Sequence, residues 1–417
     1  MPNALVNPNW VTKETARGLV NKLAFAKRGN ISFDYNDEFV HDGAKMGMTI
    51  QARLPQRFTV VKGQGLVPQA INDQYVPVTL TDQAQIGIEF STASLTMEVD
   101  MYKSRYIDRA VEALANQIEY DGLSRMYKTV YNTVGTFGTT PTTNLTYLQA
   151  GAKLTYSGCP EDNRIAVLDP NSQVTLANAN LAVFNPQSTI SQIFRDGQFA
   201  SDALNIDRWY KSANAPMHTV GALGGTPAID GANQTGSSVL TKNWTSAVAN
   251  RLLAGDVIQF AGVYSVNPQN RVSTGNLQDF VVLADVASTS GGAATITISP
   301  SIVISGQGQT VTGSPADSAL ISVFGLAAAS QSTIASTSAH QCLIYHPEAF
   351  TMVTADLEKP PASSVWVSER ESSKQLGISI RFIKDYVIGT DQSPARLDVL
   401  YGFAAIQPQL ACRVLSF

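Results

Sequence analysis

Residues 98–134 read EVDMYKSRYIDRAVEALANQIEYDGLSRMYKTVYNTV, and this stretch decides the fold. Its apolar side chains recur every three or four residues, which places them on one side of an α-helix; they are Ile107, Ala110, Val111, Leu114, Ile118, Met126 and Val130. The residues predicted on the opposite, exposed side are Arg109, Glu112, Asn116, Glu119 and Arg125. Gly122 is a weak point, costing roughly 1 kcal/mol relative to alanine, and Gly135 stands where a helix stop is expected. The pattern predicts one helix within Glu98–Val134, and about thirty residues of helix are about 45 Å long, enough to form the spine of a domain.

The composition is that of a globular protein with few charges. The chain has 417 residues, of which 44% are apolar and 15% charged, and its formal net charge at pH 7 is −4. This length predicts two or three domains, and the negative charge argues against a dedicated nucleic-acid binder. No apolar run reaches the roughly 18 residues of a membrane-spanning helix, and no secretory signal is visible. Three cysteines without disulfide or metal-binding spacing predict a reducing compartment and small buried side chains; they are Cys159, Cys342 and Cys412.

Two arms are predicted before the spine helix. In residues 1–29, a short apolar stripe is formed by Ala16, Leu19, Val20 and Leu23. The basic residues beside it are Lys13, Arg17, Lys22, Lys27 and Arg28. This segment is predicted either to dock on a partner or a neighbouring copy, or to be an amphipathic helix with a solvated basic face.

Residues 45–97 are predicted to be a long hairpin-like excursion. Apolar residues recur with period two in the half after the turn, a glycine pair at Gly63 and Gly65 indicates the turn, and Pro77 indicates an edge strand. An isolated two-stranded hairpin is only marginally stable in water. We therefore expect it to cover another surface, that of a second subunit.

The chain after the spine helix is predicted to be a mixed α/β body with a β-rich insertion. A helix over Leu145–Tyr156, a strand over Ile165–Leu168 and a helix capped by Asp169 are followed at about residue 220 by a stretch poor in charge, with eight charged residues between 221 and 340. Short β runs separated by glycine turns in this stretch predict a small antiparallel β domain. From Gln341 the mixed pattern returns, with a helix predicted to begin at Pro347 and a last strand over Arg396–Ile406.

No motif in the sequence predicts chemistry. The four histidines, His41, His218, His340 and His346, have no metal-binding spacing and no neighbouring cysteine. There is no nucleophile elbow, no phosphate-binding loop with its lysine and no dinucleotide fingerprint. The sequence therefore predicts a protein that is not an enzyme, with no cofactor, no metal and no catalytic residue.

Four segments of the sequence resemble the major capsid (coat) protein of tailed bacteriophages, and more narrowly the coat-protein family of short-tailed phages that carries an insertion domain. Two of them lie in the insertion and two towards the end of the chain; they are LLAGDVIQFAGVYSVNPQNRVSTGNLQDFVV (252–282), GAATITISPSI (292–302), HPEAFTMVTADLEKP (346–360) and DVLYGFAAIQPQLACRV (398–414). The order of arm, extended loop, spine helix, body and insertion matches the same family over essentially the whole chain.

This resemblance implies an α+β fold with five parts. They are an N-terminal arm (1–42), an extended β-loop (43–97), the spine helix with the peripheral domain and the first part of the axial domain (98–217), an inserted small antiparallel β-barrel (218–340), and the remainder of the axial and peripheral domains (341–417). Within the insertion, Val263–Gly275 is expected to be a surface loop.

The resemblance also implies a shell of hexamers and pentamers around packaged double-stranded DNA, located in the virion, assembled in the host cytoplasm and expanding during maturation. Some relatives carry their own scaffolding segment; because only about forty residues precede the extended loop here, we expect a separate scaffolding protein. The other partners implied are a portal protein, a decoration protein, non-specifically bound DNA and no membrane. The candidates for contact with a neighbouring subunit are Ile86, Ile88, Phe90 and Lys62, and those for scaffold binding are Lys13, Arg17, Lys22, Lys27 and Arg28.

A second hypothesis stays open at this point. The low charge and the stretch rich in glycine, serine and threonine are also typical of a phage tail or decoration protein, or of an adhesin-type β-rich binding protein. The long helix and the cysteine usage favour the coat protein over these.

Overall fold

The computed structural model describes residues 12, 13, 15–19, 23, 25, 26, 49–58, 60, 68, 69, 71, 73–91, 108–181, 203–361, 365, 367–373 and 378–417. The chain divides into two units, each built from separated stretches. Unit 1 comprises Met1–Arg53, Tyr75–Gly122 and Phe350–Ile406, and unit 2 comprises Leu54–Gln74, Leu123–Ala349 and Gln407–Phe417. The five-part division given above stays a prediction.

Strands outnumber helices in the described residues. The helices are α1 (Asp108–Met126), α2 (Asn144–Tyr156) and α3 (Pro170–Leu181). The strands are β1 (Thr49–Arg53), β2 (Tyr75–Thr79), β3 (Asp82–Ser91), β4 (Thr133–Val134), β5 (Ile165–Leu168), β6 (Arg208–Lys211), β7 (Met217–Thr219), β8 (Gly225–Ile229), β9 (Gly236–Trp244), β10 (Val257–Val266), β11 (Ser273–Val282), β12 (Ala294–Ile302), β13 (Ile321–Val323), β14 (Ser338–Tyr345), β15 (Phe350–Ala355), β16 (Val367–Ser373), β17 (Ile378–Lys384), β18 (Gln392–Ala405) and β19 (Ala411–Ser416).

Unit 1 packs helix α1 on a five-stranded antiparallel sheet. Strand β18 lies at its centre and pairs with β3, β15 and β17, and β16 pairs with β17. The buried side of α1 packs with residues 16 and 19 of the N-terminal segment and with the sheet. Ala110, Val111, Leu114 and Ile118 are all buried, which confirms the apolar stripe predicted for them. Ile107, together with the rest of residues 98–107, lies outside the described residues.

The predicted end of the spine helix is wrong, because the helix stops at Met126 and not at Val134. One 3₁₀ turn follows over Tyr127–Thr129, and Val130 is already extended. Strand β4 then pairs in parallel with β19. The β-branched residues of this stretch favour extended backbone, and β19 supplies the hydrogen-bonding partner that a helix would not need.

The predicted hairpin-like excursion is only partly a separate ribbon. Strands β1 and β2 form a two-stranded antiparallel sheet in which Pro77 lies opposite Gln51, as an edge strand permits. Strand β3, in contrast, pairs along its whole length with β18 of the same chain, from Ser91 opposite Gln392 to Asp82 opposite Tyr401. The predicted glycine turn at residues 63–65 lies outside the described residues.

Unit 2 contains a central sheet with the order β4-β19-β14-β5-β6, and β7 also pairs with β14. Strand β5 has the predicted bounds and is buried on both sides. Helix α3 begins where the sequence places it, because Oδ2 of Asp169 accepts hydrogen bonds from the backbone N–H groups of Asn171 (3.0 Å) and Ser172 (3.2 Å).

The insertion is a nearly closed antiparallel β-barrel with the strand order β13-β10-β11-β12-β9-β8. A bridge between Ala228 and Leu320 brings its first and last strands together. Aromatic and β-branched side chains fill the interior, with Phe260 and Phe280 in ring contact at 5.1 Å. The surface loop expected over Val263–Gly275 is wrong at both ends, because β10 continues to Val266 and β11 begins at Ser273.

The helix predicted to begin at Pro347 is also wrong. Pro347–Ala349 forms a single 3₁₀ turn, and the following residues form strand β15. All six residues of β15 are buried and pair with β18, from Phe350 opposite Ala405 to Ala355 opposite Leu400. Aromatic and β-branched residues in this segment suit a strand that is covered on both sides.

Candidate functional site: the joint between the barrel and the central sheet

The barrel meets the central sheet at a buried polar joint within unit 2. We define the joint as Asp256 and Asp279 of the barrel together with the residues that contact them or each other from the rest of the unit, namely Tyr127, Thr133, Lys153, His218 and Arg413. The chain passes between sheet and barrel twice, from β7 to β8 and from β13 to β14. The joint lies where these two crossings meet the end of the spine helix and strand β19.

Asp279 on β11 is the first anchor of the joint. Its carboxylate accepts hydrogen bonds from the backbone N–H of Thr133 (3.0 Å) and the side-chain amide of Gln259 (2.6 Å), and it pairs with the ammonium of Lys153. The ammonium of Lys153 also donates to the carbonyl of Thr133 at 2.9 Å. Asp279 has no exposed side-chain surface, so this charge is stable only because an opposite charge and several donors surround it.

Asp256, at the start of β10, is the second anchor. Its carboxylate contacts Nε2 of His218 at 2.8 Å and accepts from the backbone N–H groups of Gly221 (3.2 Å) and Leu253 (2.8 Å). Nδ1 of His218 lies 3.2 Å from the hydroxyl of Tyr127. The same carboxylate thus holds the first crossing, the barrel and, through the imidazole, the end of the spine helix.

Gly255 makes this close approach possible. Its φ is +107°, and a Cβ placed there would lie 3.1 Å from Cε1 of His218. Both the left-handed backbone and the proximity of the imidazole require glycine at this position.

Arg413 on β19 is the last residue of the joint, and only one of its three guanidinium nitrogens forms a hydrogen bond. One guanidinium nitrogen, Nη1, donates to the carbonyl of Gly255 at 2.8 Å, and the group lies over the rings of Tyr127 (5.8 Å) and Phe324 (5.9 Å). The side chain is fully buried, and Nε and Nη2 have no hydrogen-bond partner. Burial lowers the pKa of Arg413 to about 10.

A cleft of about 120 Å³ opens beside the joint. Residues of the barrel, of α2 and of the extended loop line it, among them Arg57, Asn132, Tyr156 and Gln409. Asp279 is the one carboxylate among its lining residues, and that group is already bound to Lys153.

The cysteines that the sequence singles out lie in the interior of the fold. The three cysteines are buried and free, as predicted, and burial raises the pKa of each thiol, that of Cys412 to about 12. Within the described residues, no group of three or more potential metal ligands comes together. No helix in that part of the chain is long and apolar enough to cross a membrane.

The structure places the predicted contact residues in unlike surroundings. Ile86 and Ile88 lie half-buried on β3 and pack against the core of unit 1. Phe90 belongs to β3 through its backbone, and its side chain lies outside the described residues, as does all of Lys62. Their contact with a neighbouring subunit stays a prediction.

Of the predicted scaffold-binding residues, Lys13 and Arg17 belong to a helical segment and are exposed. Lys22, Lys27 and Arg28 lie outside the described residues. The apolar residues beside them, Ala16 and Leu19, are buried against α1. The described part of this segment thus has one buried apolar side and one exposed basic side.

Sequence reasoning assigned no role to any residue of the joint, and it named His218 only as a histidine without metal-binding spacing. It also placed Glu119 on the exposed side of the spine helix, which is wrong because the residue is buried. The Glu119 carboxylate accepts from the backbone N–H groups of Phe25 (2.9 Å) and Ala26 (3.0 Å). No local signal distinguishes this carboxylate from an exposed one, because its backbone partners lie more than ninety residues away in the chain.

The family model described as the P22 coat protein, gene protein 5, matches residues 75–415, and the chain belongs to this family. It is therefore a coat protein, a structural component that self-assembles into the shell of a virion. The hypothesis of a tail, decoration or adhesin-type protein is not supported. No curated protein matches the chain.

Several solved structures are similar to the chain. A structure from Mycobacterium phage Che8 is 10% identical, with a TM-score of 0.45, and the match covers 95% of this chain and 90% of that one. The capsid of Ralstonia phage GP4 is 7% identical, with a TM-score of 0.45 and coverages of 91% and 86%. The CUS-3 coat protein I-domain is 27% identical, with a TM-score of 0.17, and covers 27% of this chain and 97% of its own. Because these TM-scores are below 0.5, the assignment rests on the family model.

Proposed function

We propose that the chain assembles as hexamers and pentamers into an icosahedral shell that encloses packaged double-stranded DNA, on a separate scaffolding protein and with later expansion. The observation that carries this proposal is the family match over residues 75–415, which includes the spine helix, the barrel and the whole joint. Assembly would take place in the host cytoplasm, with a portal protein and a decoration protein as further partners.

The chemistry of the chain supports such an assembly. A shell needs many interfaces of moderate strength, because misplaced subunits must be able to leave, and simultaneous contacts then stabilise the closed shell. Exposed apolar residues in the extended loop, Phe58, Val60 and Ile71, suit contact with a neighbouring copy. The net charge of −4 suits an inner wall that holds DNA only non-specifically.

The test is electron microscopy of the full-length protein, purified alone and after mixing with the scaffolding protein of the same phage. We expect closed shells with the scaffolding protein, and shells, tubes or spirals with capsomer spacing without it. Small oligomers of uniform size in both preparations would overturn the proposal.

We further propose that the basic residues of the N-terminal segment bind an acidic region of the scaffolding protein. Lys13 and Arg17 are exposed on one side of a helical segment, and attraction between opposite charges would speed encounter and weaken with salt. Replacing Lys13, Arg17, Lys22, Lys27 and Arg28 with glutamine should weaken scaffold binding most at low salt. Binding that is unchanged at every salt concentration would remove the idea.

A further inference from the structure

Each of the two crossings between the barrel and the central sheet contains a bulky residue with a strained backbone. Among the described residues, four with large side chains have a left-handed φ, namely Leu204, Leu223, Arg271 and Phe324. The other non-glycine residues with positive φ are Asn, Asp, Ser or Ala. Leu223 lies two residues before the first barrel strand, and Phe324 directly follows the last one. A bulky L-residue with positive φ is a genuine outlier that persists only where its surroundings hold it.

The first crossing is held in place by the barrel. Leu223 has a φ of +44° and a fully buried side chain. Its backbone N–H donates to the carbonyl of Arg251 at 3.0 Å, and its carbonyl accepts from the Arg251 guanidinium. Glycines follow at positions 224 and 225, both with positive φ. The left-handed leucine is therefore fixed by hydrogen bonds that exist only while this crossing lies on the barrel.

The second crossing is held by aromatic packing in the joint. Phe324 has a φ of +47°, and its N–H donates to the carbonyl of Val257 at 2.8 Å. Its ring lies 4.8 Å from that of Phe137 and 6.0 Å from the imidazole of His218. The guanidinium of Arg413 lies over the same ring. The strained residue thus touches the incompletely paired charge.

A comparison with Arg164 shows how unusual Arg413 is. Both arginines are fully buried. All three nitrogens of the Arg164 guanidinium donate: Nε to the carbonyl of Pro160, Nη1 to that of Gly151, and Nη2 to the hydroxyl of Thr155 and the carbonyl of Cys159. Arg413 uses one nitrogen of three. Burying a charge with unsatisfied donors opposes the closed joint, whereas a fully bonded guanidinium stabilises its site.

We propose that the joint is a strained conformational latch, in which Asp256 and Asp279 hold the barrel on the central sheet against the left-handed Leu223 and Phe324 and the unsatisfied guanidinium of Arg413. Opening of the joint would relax both crossings and hydrate Arg413 in one step. A role for this opening in shell expansion rests on the proposed function, because an expanding shell needs an element with two defined arrangements.

The test is hydrogen exchange, measured by mass spectrometry, on the full-length unassembled protein. We expect peptides covering residues 220–225 and 324–337 to exchange together, faster than peptides covering β10 and β11. Arg413→Met should slow exchange at both crossings by about fivefold or more, because an apolar side chain of similar length removes the unsatisfied charge. The matched control Arg164→Met should speed exchange around α2 and β5. Faster exchange at the crossings in Arg413→Met would overturn the proposal.

A second pair of variants tests the strain without Arg413. At an ordinary buried leucine, glycine is less stable than alanine because the unfolded chain gains freedom, but at a left-handed position the order reverses. We therefore expect Leu223→Gly to exchange more slowly at the crossings than Leu223→Ala, and Leu252→Gly to exchange faster than Leu252→Ala. If the glycine variant exchanges faster than the alanine variant at both positions, the proposal that Leu223 is strained is wrong. All of these readouts use unassembled protein, so a failure to form shells would count against the proposed function and leave this result standing.

Discussion

Two buried carboxylates tie distant segments of this chain together, one in each unit, and they do so differently. In unit 1, Glu119 on the spine helix accepts from the backbone N–H groups of Phe25 and Ala26. In unit 2, Asp279 on the barrel accepts from a backbone N–H and also pairs with the ammonium of Lys153. The first carboxylate fixes a terminal segment through the backbone, which any sequence could offer. The second carboxylate fixes an inserted domain through the side chain of one residue, Lys153, so this contact depends on which amino acid occupies that position.

The largest expected effect belongs to Asp279. Asp279→Ala leaves the half-buried ammonium of Lys153 without its partner and the N–H of Thr133 without an acceptor. We expect the free energy of unfolding to fall by about 3–5 kcal/mol, measured by urea unfolding of the full-length protein. Glu161→Ala, at an exposed turn, is the control and should change it by no more than about 0.5 kcal/mol. Equal effects of the two changes would mean that Asp279 is not an anchor.

The effect at Glu119 should be smaller because the two backbone N–H groups from which it accepts carry no net charge. Glu119→Ala removes the carboxylate that accepts from two buried N–H groups, and we expect a loss of about 2–3 kcal/mol in the free energy of unfolding. Glu119→Gln keeps one acceptor oxygen and should lose clearly less. The control is Glu112→Ala on the exposed side of the same helix, where the pair with Arg109 contributes about 0.5 kcal/mol or less. If Glu119→Gln is as damaging as Glu119→Ala, the hydrogen bonds are not what matters.

The same comparison shows which contacts a sequence can reveal. Asp169 was predictable, because a cap bonds to backbone two and three residues away and the following proline marks the helix start. Glu119 and Asp279 were not, because their partners lie 94 and 126 residues away in sequence. Periodicity records which positions face a core, and a carboxylate in the buried stripe has the pattern of an exposed residue.

Strand and helix assignments failed for a related reason. The stripe on α1 was found because helix packing repeats locally, and the barrel was found because its strands alternate between glycine turns. The segment after Pro347 has helix-compatible residues, but the whole of β15 pairs with a strand some fifty residues later. Only that distant partner decides between helix and strand, as tertiary context overrides local preference.

Gly122 and Gly151 extend the comparison to a pair of helical glycines, one in each unit. A Cβ at Gly122 would lie 2.8 Å from Cζ of Phe403 and 3.1 Å from Cε1 of Phe25, whereas the nearest atom to a Cβ at Gly151 is 3.9 Å away. We expect Gly122→Ala to lower the free energy of unfolding by about 1–3 kcal/mol through overpacking. Gly151→Ala should raise it by up to about 1 kcal/mol through helix propensity. Thermal unfolding measures both changes. If both variants are more stable than the original protein, the rings of Phe25 and Phe403 can move aside, and Gly122 only weakens the helix.

The smallest expected effect on stability belongs to an exposed carboxylate that also has a lysine partner. On the barrel surface, the Asp317 carboxylate accepts from Lys242 at 2.7 Å and from the N–H of Gly231 at 2.9 Å. The hydrogen bond from Lys242 is the main cause that lowers the pKa of Asp317 from its ordinary value of 3.8 to about 2. A carboxylate whose pKa is lower in the folded state stabilises the fold above pH 4 and loses this contribution as the pH falls towards 2.

The variant Lys242→Met tests this contribution. In this variant, titration of the carboxyl groups followed by NMR should show that the pKa of Asp317 returns most of the way to 3.8. Because water screens this pair, its removal should leave the unfolding transition at pH 7 nearly unchanged. A large loss of stability there would mean that the exposed pair anchors the barrel much as Asp279 does.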